Sequence, residues 1–305
     1  TKVKFKDIKY PNPMASLPIE PKSRGAEQKI SETLNRLVAE DSTFKVSRDV
    51  QTHELVVTGM SNLHLEVILS RLKSRYEIDV DSRQPKIPHK ETITTKASAQ
   101  YKHKKQTGGK GQYAEVYLRI EPLERGAGFE FTTKIVGGAI PSQYIPAVEK
   151  GLRETIAKGI LSNNPIADVK VELYDGTFHN VDSSEAAFKV AASKAFRLAF
   201  DDAKPVLLEP VVNIEVTIPS EFMGEITGNL SSRRGRVQGM DAFGDLQVIQ
   251  ASIPMDEVKN YETELKSMTG GRGSYTMELS HYDVVPSHLV PAIITEAKKD
   301  AEKTD

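Results

Sequence analysis

The two ends of the chain follow the same order of predicted elements, and this constrains the fold more than any single motif does. In the first 88 residues, apolar side chains recur at helical spacing in two segments, Ile30, Leu34, Leu37 and Val38 in one and Leu65, Leu69 and Leu72 in the other. An extended, proline-punctuated segment precedes the first helix, and β-like stretches lie at residues 44–50, 53–60 and 76–80. The order strand, helix, strand, strand, helix, strand predicts a split βαβ, ferredoxin-like unit.

The same order returns from residue 209. Strands are predicted at residues 210–219, 236–240, 245–254 and 273–282, and helices at residues 220–233 and 256–268. A short helix follows Pro286. Residues 82–90 hold two prolines and no apolar periodicity, so we expect a domain boundary there.

The middle of the chain differs from both ends. Its strands show alternating apolar residues, at Val116, Leu118 and Ile120, at Phe129 and Phe131, and at Val169, Val171 and Leu173. One helix is expected at about residues 142–160. A second begins at "DSSE", where we expect Asp182 to cap the helix and Glu185 to reach back, and it carries a stripe that we expect to be buried, Phe188, Ala192, Ala195, Phe196 and Ala199.

The fold class is therefore α+β with three domains, residues 1–88, 89–208 and 209–305. A chain of 305 residues is longer than one core usually serves. It has no cysteine, a net charge of −1 and no apolar run of membrane-spanning length. We expect a cytoplasmic monomer with no membrane partner. Because the first residue is Thr1 and not Met, we also expect a fragment or a processed product.

The segment "HKKQTGGKGQY", residues 103–113, holds three glycines, three lysines and a histidine. A Walker loop would need Ser or Thr after the Gly109–Lys110 pair, but Gly111 stands there, and Lys104 occupies the place of the first glycine. The segment also joins two strands, whereas a phosphate loop opens a helix. Two interpretations stay open: a hairpin turn with solvated lysines, or a bare-backbone tip that enters an RNA groove.

Two clusters of glycine and arginine follow predicted helices in the last domain. One holds Arg233, Arg234 and Arg236, and the other holds Arg272 between glycines. Each is explained by a glycine helix C-cap with basic residues that favour the helix dipole. Arginine beside bare backbone is also suited to grip phosphate.

An enzymatic site is the alternative of a different class. Asp175, His179 and Asp182 lie close in sequence and suggest acid–base chemistry. Asp182 is expected to serve as a cap, however, no nucleophile neighbours His179, and no metal-ligand spacing occurs. We therefore expect no catalytic, cofactor-binding or metal site in this chain.

Six stretches in register resemble the elongation factor G family of translational GTPases. They are "HKKQTGGKGQY", "KIVGGAIPSQYIPAVEKG", "YDGTFHNVDSSEAAFK", "KPVLLEP", "LSSRRGRVQGM" and "TGGRGSYTME", preceded by "LPIEPK" and "GMSNLHLEV". The resemblance implies the third, fourth and fifth domains of that family. It implies ferredoxin-like domains at both ends and a central domain similar to domain 2 of ribosomal protein S5. GTP and magnesium would belong to a GTPase domain outside this chain.

The resemblance also implies a ribosomal site, with ribosomal RNA and A-site tRNA–mRNA as partners beside the factor's own GTPase domain. The tip of the central domain would face the decoding region through Lys105, Gln106, Thr107, Gly108, Gly109, Lys110, Gly111, Gln112 and His179. The turn "VGGAIPSQY" would lie near it. Large-subunit RNA would be faced by Arg233, Arg234, Arg236 and Arg272.

Several residues depart from the usual family pattern. They are Ser61 and Asn62, where the family typically has glycine and glutamate, Asn180 where aspartate is common, and Asn229. These leave open a paralogue used in ribosome recycling. A ribosome-protection protein, which shares this architecture, is a further alternative, whereas "QTGGKGQ" favours elongation factor G itself. For His64 and Glu66 on their helix, the sequence favours local packing or pairing.

Overall fold

A computed structural model describes residues 13–22, 27–49, 54–106 and 111–302. Its backbone contacts divide the chain into two compact units, residues 1–88 with 210–281 and residues 89–209 with 282–305. The buried apolar side chains form three separate clusters, one for each of three sheets. Within the described residues, no helix combines the length and the apolar character needed to span a membrane.

The first sheet is four-stranded, antiparallel and covered by two helices. In chain order the elements are β1 (Ala15–Pro21), α1 (Glu27–Glu40), β2 (Lys45–Arg48), β3 (Leu55–Gly59), α2 (Asn62–Tyr76) and β4 (Val80–Ser82). The strand order in the sheet is β2-β3-β1-β4. The helices bury Ile30, Leu34, Leu37, Leu65 and Leu72, as their spacing predicted. This is the ferredoxin-like arrangement.

The last strand of this sheet lies later than the sequence predicted. The expectation of a strand at residues 76–80 is wrong, because α2 continues to Tyr76 and Glu77 then adopts a left-handed conformation with φ of 55°. The Glu77 N–H donates to the Leu72 carbonyl and closes the helix. The chain reverses there, and β4 begins only at Val80.

The central sheet carries the candidate tip. The sheet and its helices comprise β6 (Ala97–Lys105), β7 (Gln112–Pro122), β8 (Phe129–Thr133), α3 (Ile145–Lys158), β9 (Val169–Thr177) and α4 (Glu185–Asp202), whereas β5 (Lys90–Ile93), which precedes them, pairs with the last sheet. The order is β6-β7-β9-β8, in which only β8 and β9 are parallel.

The two central helices approach each other and the sheet closely. The alanines and phenylalanines of the stripe on α4 are buried, as predicted. On α3, a Cβ at Gly151 would lie 2.5 Å from the backbone oxygen of Lys189, so only glycine permits this helix crossing. The core of this domain therefore holds β7 and β9 rigidly where they end.

The last sheet repeats the topology of the first. Its elements are β10 (Pro205–Pro219), α5 (Met223–Ser232), β11 (Arg236–Phe243), β12 (Leu246–Pro254), α6 (Tyr261–Met268) and β13 (Ser274–Val284), and α7 (Val290–Glu302) follows. The order β11-β12-β10-β13 corresponds position by position to that of the first sheet. The α+β fold class with ferredoxin-like units at both ends is confirmed.

Three boundaries in this region differ from expectation. The helix expected at residues 220–233 begins as a 3-10 turn, Ser220–Phe222, and the helix expected at residues 256–268 divides into a 3-10 turn, Met255–Val258, and α6. Apolar spacing does not separate a short 3-10 turn from the first turn of an α-helix. Strand β10 begins at Pro205, before the predicted residue 210, because its first four residues pair with β5.

Candidate nucleic-acid interface

The glycine-rich loop joins two antiparallel strands. Strands β6 and β7 stay in register up to the pair Lys105 and Gln112, so the segment is a hairpin connection. Lys105, Gln106 and Gln112 are exposed, whereas His103 is buried with its Nε2 3.0 Å from Gln112 Oε1. Thr107, Gly108, Gly109 and Lys110 lie outside the described residues.

A turn of residues 179–183, after strand β9, is fastened to this hairpin, and we call it the His179 turn. The Gly111 N–H donates to Asp182 Oδ1 at 3.1 Å, and the Tyr113 N–H donates to the Asp182 carbonyl at 2.9 Å. Ser183 Oγ donates to the Tyr113 carbonyl at 2.8 Å and accepts from the His179 N–H at 2.9 Å. These hydrogen bonds join segments about seventy residues apart in sequence, which a shared sheet brings together.

Gly111 is the glycine whose lack of a side chain this contact requires. A Cβ at Gly111 would lie 2.9 Å from Asp182 Cγ and 3.0–3.1 Å from its carboxylate oxygens. A side chain there would therefore push the His179 turn off the hairpin. The role of this glycine is close approach, which spacing alone does not reveal.

Asp182 does not cap the following helix, so that prediction is wrong. Helix α4 begins at Glu185, and its N-cap is Ser184, whose hydroxyl accepts from the Ala187 N–H at 3.2 Å. Two Ser residues and one Asp compete for the cap in "DSSE", and Ser184 is the one adjacent to the first helical residue. The Asp182 carboxylate is thereby left to hold Gly111.

His179 has one ring nitrogen turned to the protein. Its Nδ1 accepts from the backbone N–H groups of Val181 at 3.3 Å and Asp182 at 3.2 Å. Asp182 Oδ2 also lies 3.4 Å from Nδ1, a distance compatible with an ion pair if the ring is protonated. In the neutral ring Nδ1 is the acceptor, because two N–H donors converge on it at shorter distances and leave no room for a proton there.

The neutral ring then carries its proton on Nε2. The side chain is 55% exposed, and within the described residues no group bonds Nε2. Beside it, Val181 and Phe178 are exposed apolar residues, and the Tyr113 ring lies 6.2 Å from the imidazole. The His179 turn thus presents a hydrogen-bond donor among apolar and aromatic surfaces.

The turn "VGGAIPSQY" lies beside the same end of β9, as expected. A Cβ at Gly176 would meet Ile140 Cδ1 at 2.4 Å, so Ile140 packs directly on that strand. Tyr144 stacks on Phe188 and its hydroxyl lies 3.4 Å from the Ser183 carbonyl. Val136, which directly precedes Gly137 and Gly138 in this turn, is 83% exposed.

His64 also accepts a backbone N–H at Nδ1, but unlike His179 it has a described partner at Nε2. Its Nδ1 accepts from the Met60 N–H at 3.1 Å, and its Nε2 lies 3.0 Å from Asp41 Oδ2. A hydrogen bond from Thr43 is the main cause that lowers the pKa of Asp41, and His64 adds to it. The prediction of local pairing for His64 is confirmed, and Glu66 is exposed.

Arg233, predicted to face RNA, has its guanidinium bonded inside the last domain. Its Nε donates to Asn229 Oδ1 at 3.2 Å, one terminal nitrogen donates to the Glu257 carbonyl at 2.5 Å, and the other bonds Glu264. The group also lies over the Tyr261 ring. With a side chain only 19% exposed, Arg233 ties α5 to α6.

Arg234, and not a glycine, is the left-handed residue after α5. Its φ is 60°, and its Nε donates to Glu257 Oε1 at 2.9 Å. Gly235 is needed for a different reason, since a Cβ there would lie 2.4 Å from the Leu230 carbonyl oxygen. The expectation of a glycine in the cap is therefore wrong for this helix.

Arg236 and Arg272 are the more accessible members of the arginine set. Arg236 opens β11 with an exposed side chain that no other described residue bonds. Arg272 follows the left-handed Gly270 and Gly271 that close α6, as predicted, and it pairs with exposed Glu221 at 2.7 Å.

The enzymatic alternative finds no support in this geometry. Ser183, which neighbours His179, uses its hydroxyl to bond two backbone groups, and Asp175 accepts from the next residue, Gly176, at 2.8 Å. His179 lies on an exposed turn and not in a closed cleft. Among the residues that the structure describes, no cluster of three His, Asp or Glu side chains could hold a metal ion.

Three of the four departures from the expected pattern have structural roles. Ser61 caps α2 by accepting from the His64 N–H at 3.1 Å, and the Asn62 side chain donates to Thr263 Oγ1 at 3.2 Å. Asn229 accepts from Arg233, whereas Asn180 is exposed in the His179 turn.

Sequence reasoning missed Glu91 entirely. Its fully buried carboxylate accepts from the backbone N–H groups of Ile160, Leu161, Ser162 and Asn164 and from the Ser162 hydroxyl, at 2.7–3.2 Å. A lone glutamate in a strand carries no signal of this role, because the loop that it orders lies about seventy residues away.

Comparison with known proteins matches consecutive parts of the chain to three family models. They are "Elongation Factor G, domain III" on residues 10–84, "Elongation factor G, domain IV" on residues 85–204 and "Elongation factor G C-terminus" on residues 206–293. A crystal structure of a protein from Thermus thermophilus is similar, with a TM-score of 0.82 and 41% sequence identity. The similarity covers 96% of this chain and 44% of that one, so the chain spans less than half the length of its relative.

Proposed function

Because the chain belongs to the elongation factor G family, we propose that it is the ribosome-contacting part of a factor that moves tRNA and mRNA through the ribosome. The central domain enters the decoding region with the glycine-rich loop and His179 in front. The work of this part is steric and involves hydrogen bonding, and no covalent step takes place in it. The last domain faces large-subunit RNA.

One observation carries this proposal: the described ends of the hairpin, at Lys105, Gln106 and Gly111 to Tyr113, are hydrogen-bonded to the exposed His179 turn. Gly111, Tyr113, Asp182 and Ser183 hold the two segments together, and no described residue bonds Nε2 of the exposed His179 ring. A donor on a rigid, partly apolar tip suits an RNA backbone or an exposed base edge. Lys104 and Lys105 on the adjoining strand add positive charge where phosphates would lie.

We also propose where the chemistry of the complete factor lies. GTP and magnesium belong to a GTPase domain that is another part of the longer protein, and this chain holds neither. A cytoplasmic location and a monomeric state go with that role. The recycling and ribosome-protection alternatives gain no specific support, since Ser61 and Asn62 have structural roles in this fold.

The test is the His179→Ala variant in a complete factor that carries this chain. Loss of a hydrogen bond to a charged group costs about 1.5–3 kcal/mol, so translocation is expected to slow about tenfold or more. Ribosome-stimulated GTP hydrolysis stays nearly unchanged, because the hydrolytic site lies in another domain. Both rates are measured in the same preparation, one by tRNA movement and the other by phosphate release.

His281→Ala is the matched control. His281 is also an exposed histidine, on β13, and its ring contacts only the adjacent Ser280 hydroxyl among the described residues. Neither rate is expected to change in this variant. If both rates fell together in His179→Ala, or neither changed, the assignment of the tip to the decoding region would be wrong.

A further inference from the structure

Asp182 contacts both halves of the tip at once. Its carboxylate accepts from the Gly111 N–H, its carbonyl accepts from the Tyr113 N–H, and its own N–H donates to His179 Nδ1. We propose that Asp182 is a positioning residue, which holds His179 as the Nε2–H tautomer and presents that N–H to the RNA. The RNA part of this inference rests on the proposed function, whereas the tautomer does not.

Two backbone amides fix the tautomer of the neutral His179 imidazole. A neutral histidine has one nitrogen that donates and one that accepts, and the partner of one nitrogen decides the role of the other. Here the amides of Val181 and Asp182 both point at Nδ1. In the neutral ring the proton is therefore on Nε2, which makes His179 a directed donor.

The contact between the His179 turn and the hairpin keeps those amides in place. Residues 180–182 form an exposed turn that is anchored to the hairpin through Asp182 and Ser183. Without the Asp182 carboxylate, the Gly111 N–H loses its acceptor, and this hydrogen bond between the hairpin and the His179 turn is lost. The remaining bonds are a single backbone pair and the Ser183 hydroxyl, so the turn and its amides become free to tilt away from Nδ1.

The positioning role of Asp182 differs from that of an ion-pair partner of His179. Asp182 Oδ2 lies 3.4 Å from Nδ1, and a charged pair would also place these atoms close together. The Asp182→Asn variant distinguishes the two. An asparagine oxygen still accepts from Gly111, and its amide N–H directed at Nδ1 favours the same Nε2–H tautomer, whereas an ion pair is lost in that variant.

The first experiment reads the tautomer directly by nitrogen-15 NMR on the 305-residue chain with labelled histidine, at a pH of about 8, where an ordinary histidine is neutral. The His179 signals are assigned from their loss in His179→Ala. The native chain and Asp182→Asn are expected to show a proton on Nε2 alone. Asp182→Ala is expected to show both tautomers in exchange.

Two controls accompany this measurement. Asn180→Ala alters the same turn at an exposed residue that bonds neither Gly111 nor Tyr113, and it should leave the His179 signals unchanged. His64 is an internal reference in every sample, because it lies in a different domain from His179. Its Nδ1 accepts from the Met60 N–H, and its Nε2 faces Asp41 of its own domain. A native His179 with its proton on Nδ1, or an unchanged Nε2–H signal in Asp182→Ala, would overturn the inference.

The second experiment asks whether Asp182 acts through His179. In a complete factor, Asp182→Ala is expected to slow translocation about fivefold or more at saturating factor, and Asp182→Asn less than about twofold. The double variant Asp182→Ala, His179→Ala should be no slower than His179→Ala alone, since the two residues act as one unit. Additive losses in the double variant would contradict a positioning role.

The outcomes separate this inference from the proposed function. If His179→Ala leaves translocation intact, the proposed function fails, and the NMR result still decides the role of Asp182 in the tautomer. If His179→Ala slows translocation but Asp182→Ala changes neither the tautomer nor the rate, the proposed function stands and the positioning role of Asp182 is wrong.

Discussion

The His179 turn and the corner around Arg233 look alike in sequence and differ in the folded chain. Both place a side chain with nitrogen donors just after a regular element, and both were predicted to face RNA. In the structure, His179 directs one nitrogen to its own backbone and leaves the other exposed. Arg233 donates from all three of its nitrogens to groups within its own domain.

The difference teaches that residue type does not decide availability. Arg233 follows α5 at a point where Glu257 and Glu264 face it from the next elements, so its donors are satisfied inside the protein. The neighbours of His179 are amides that compete for a single nitrogen. A side chain can bind a ligand only with the groups that its own fold has left without a partner.

The largest expected effect is on the stability of the last domain. Replacing Arg233 with alanine removes three hydrogen bonds, one of them to Glu257 on the 3-10 turn before α6 and one to Glu264 on α6, and should cost about 2–3 kcal/mol. Hydrogen exchange of α5 and α6 is then expected to rise roughly thirtyfold or more. Arg236→Ala is the control and should stay within about 0.5 kcal/mol, because that side chain is exposed and bonds no other described residue. Equal losses of stability in the two variants would mean that the hydrogen bonds of Arg233 do not stabilise the domain more than the exposed Arg236 does.

A smaller effect is expected at the tip. A methyl group at Gly111 would contact the Asp182 carboxylate at about 3 Å, so Gly111→Ala should weaken the His179 turn by about 1–2 kcal/mol. Hydrogen exchange of residues 179–183 should rise about tenfold. Gly228→Ala is the matched control and should raise stability instead of lowering it. Gly228 lies on α5 with open space around it, and alanine there favours the helix by up to about 1 kcal/mol. Unchanged exchange in Gly111→Ala would mean that the hairpin and the turn are not fastened together.

The smallest effect concerns the arginines that remain accessible. If Arg236 and Arg272 contact ribosomal phosphates, replacing either with alanine should reduce the slope of log affinity against log salt concentration by about 1. Arg233→Lys keeps a positive charge and should leave the slope unchanged. Ribosome binding of the chain between about 50 and 200 mM salt measures all three. An unchanged slope in both the Arg236→Ala and the Arg272→Ala variant would mean that neither arginine contacts phosphate.

Much of the architecture followed from periodicity, and the failures are local. The two ferredoxin-like units were predicted because apolar residues repeat at helical spacing in α1 and α2 and alternate in the strands. The strand expected at residues 76–80 was misplaced because nothing in "YEIDV" announces that Glu77 is left-handed. Asp182 was taken for a cap because its spacing to Glu185 is that of a capping box, and only the position at which α4 begins shows that Ser184 has that role.

The sequence by itself determined the order of elements, the three cores and the family, because these depend on side-chain pattern over long windows, where many weak preferences add up. Only the tertiary structure decided which polar groups are available. Gly111 with Asp182, Arg233 with Glu264 and Glu91 with Ser162 each join segments about thirty to seventy residues apart. A hydrogen bond between distant segments depends on ångström-scale placement by the intervening fold, and no local preference of either residue encodes that placement.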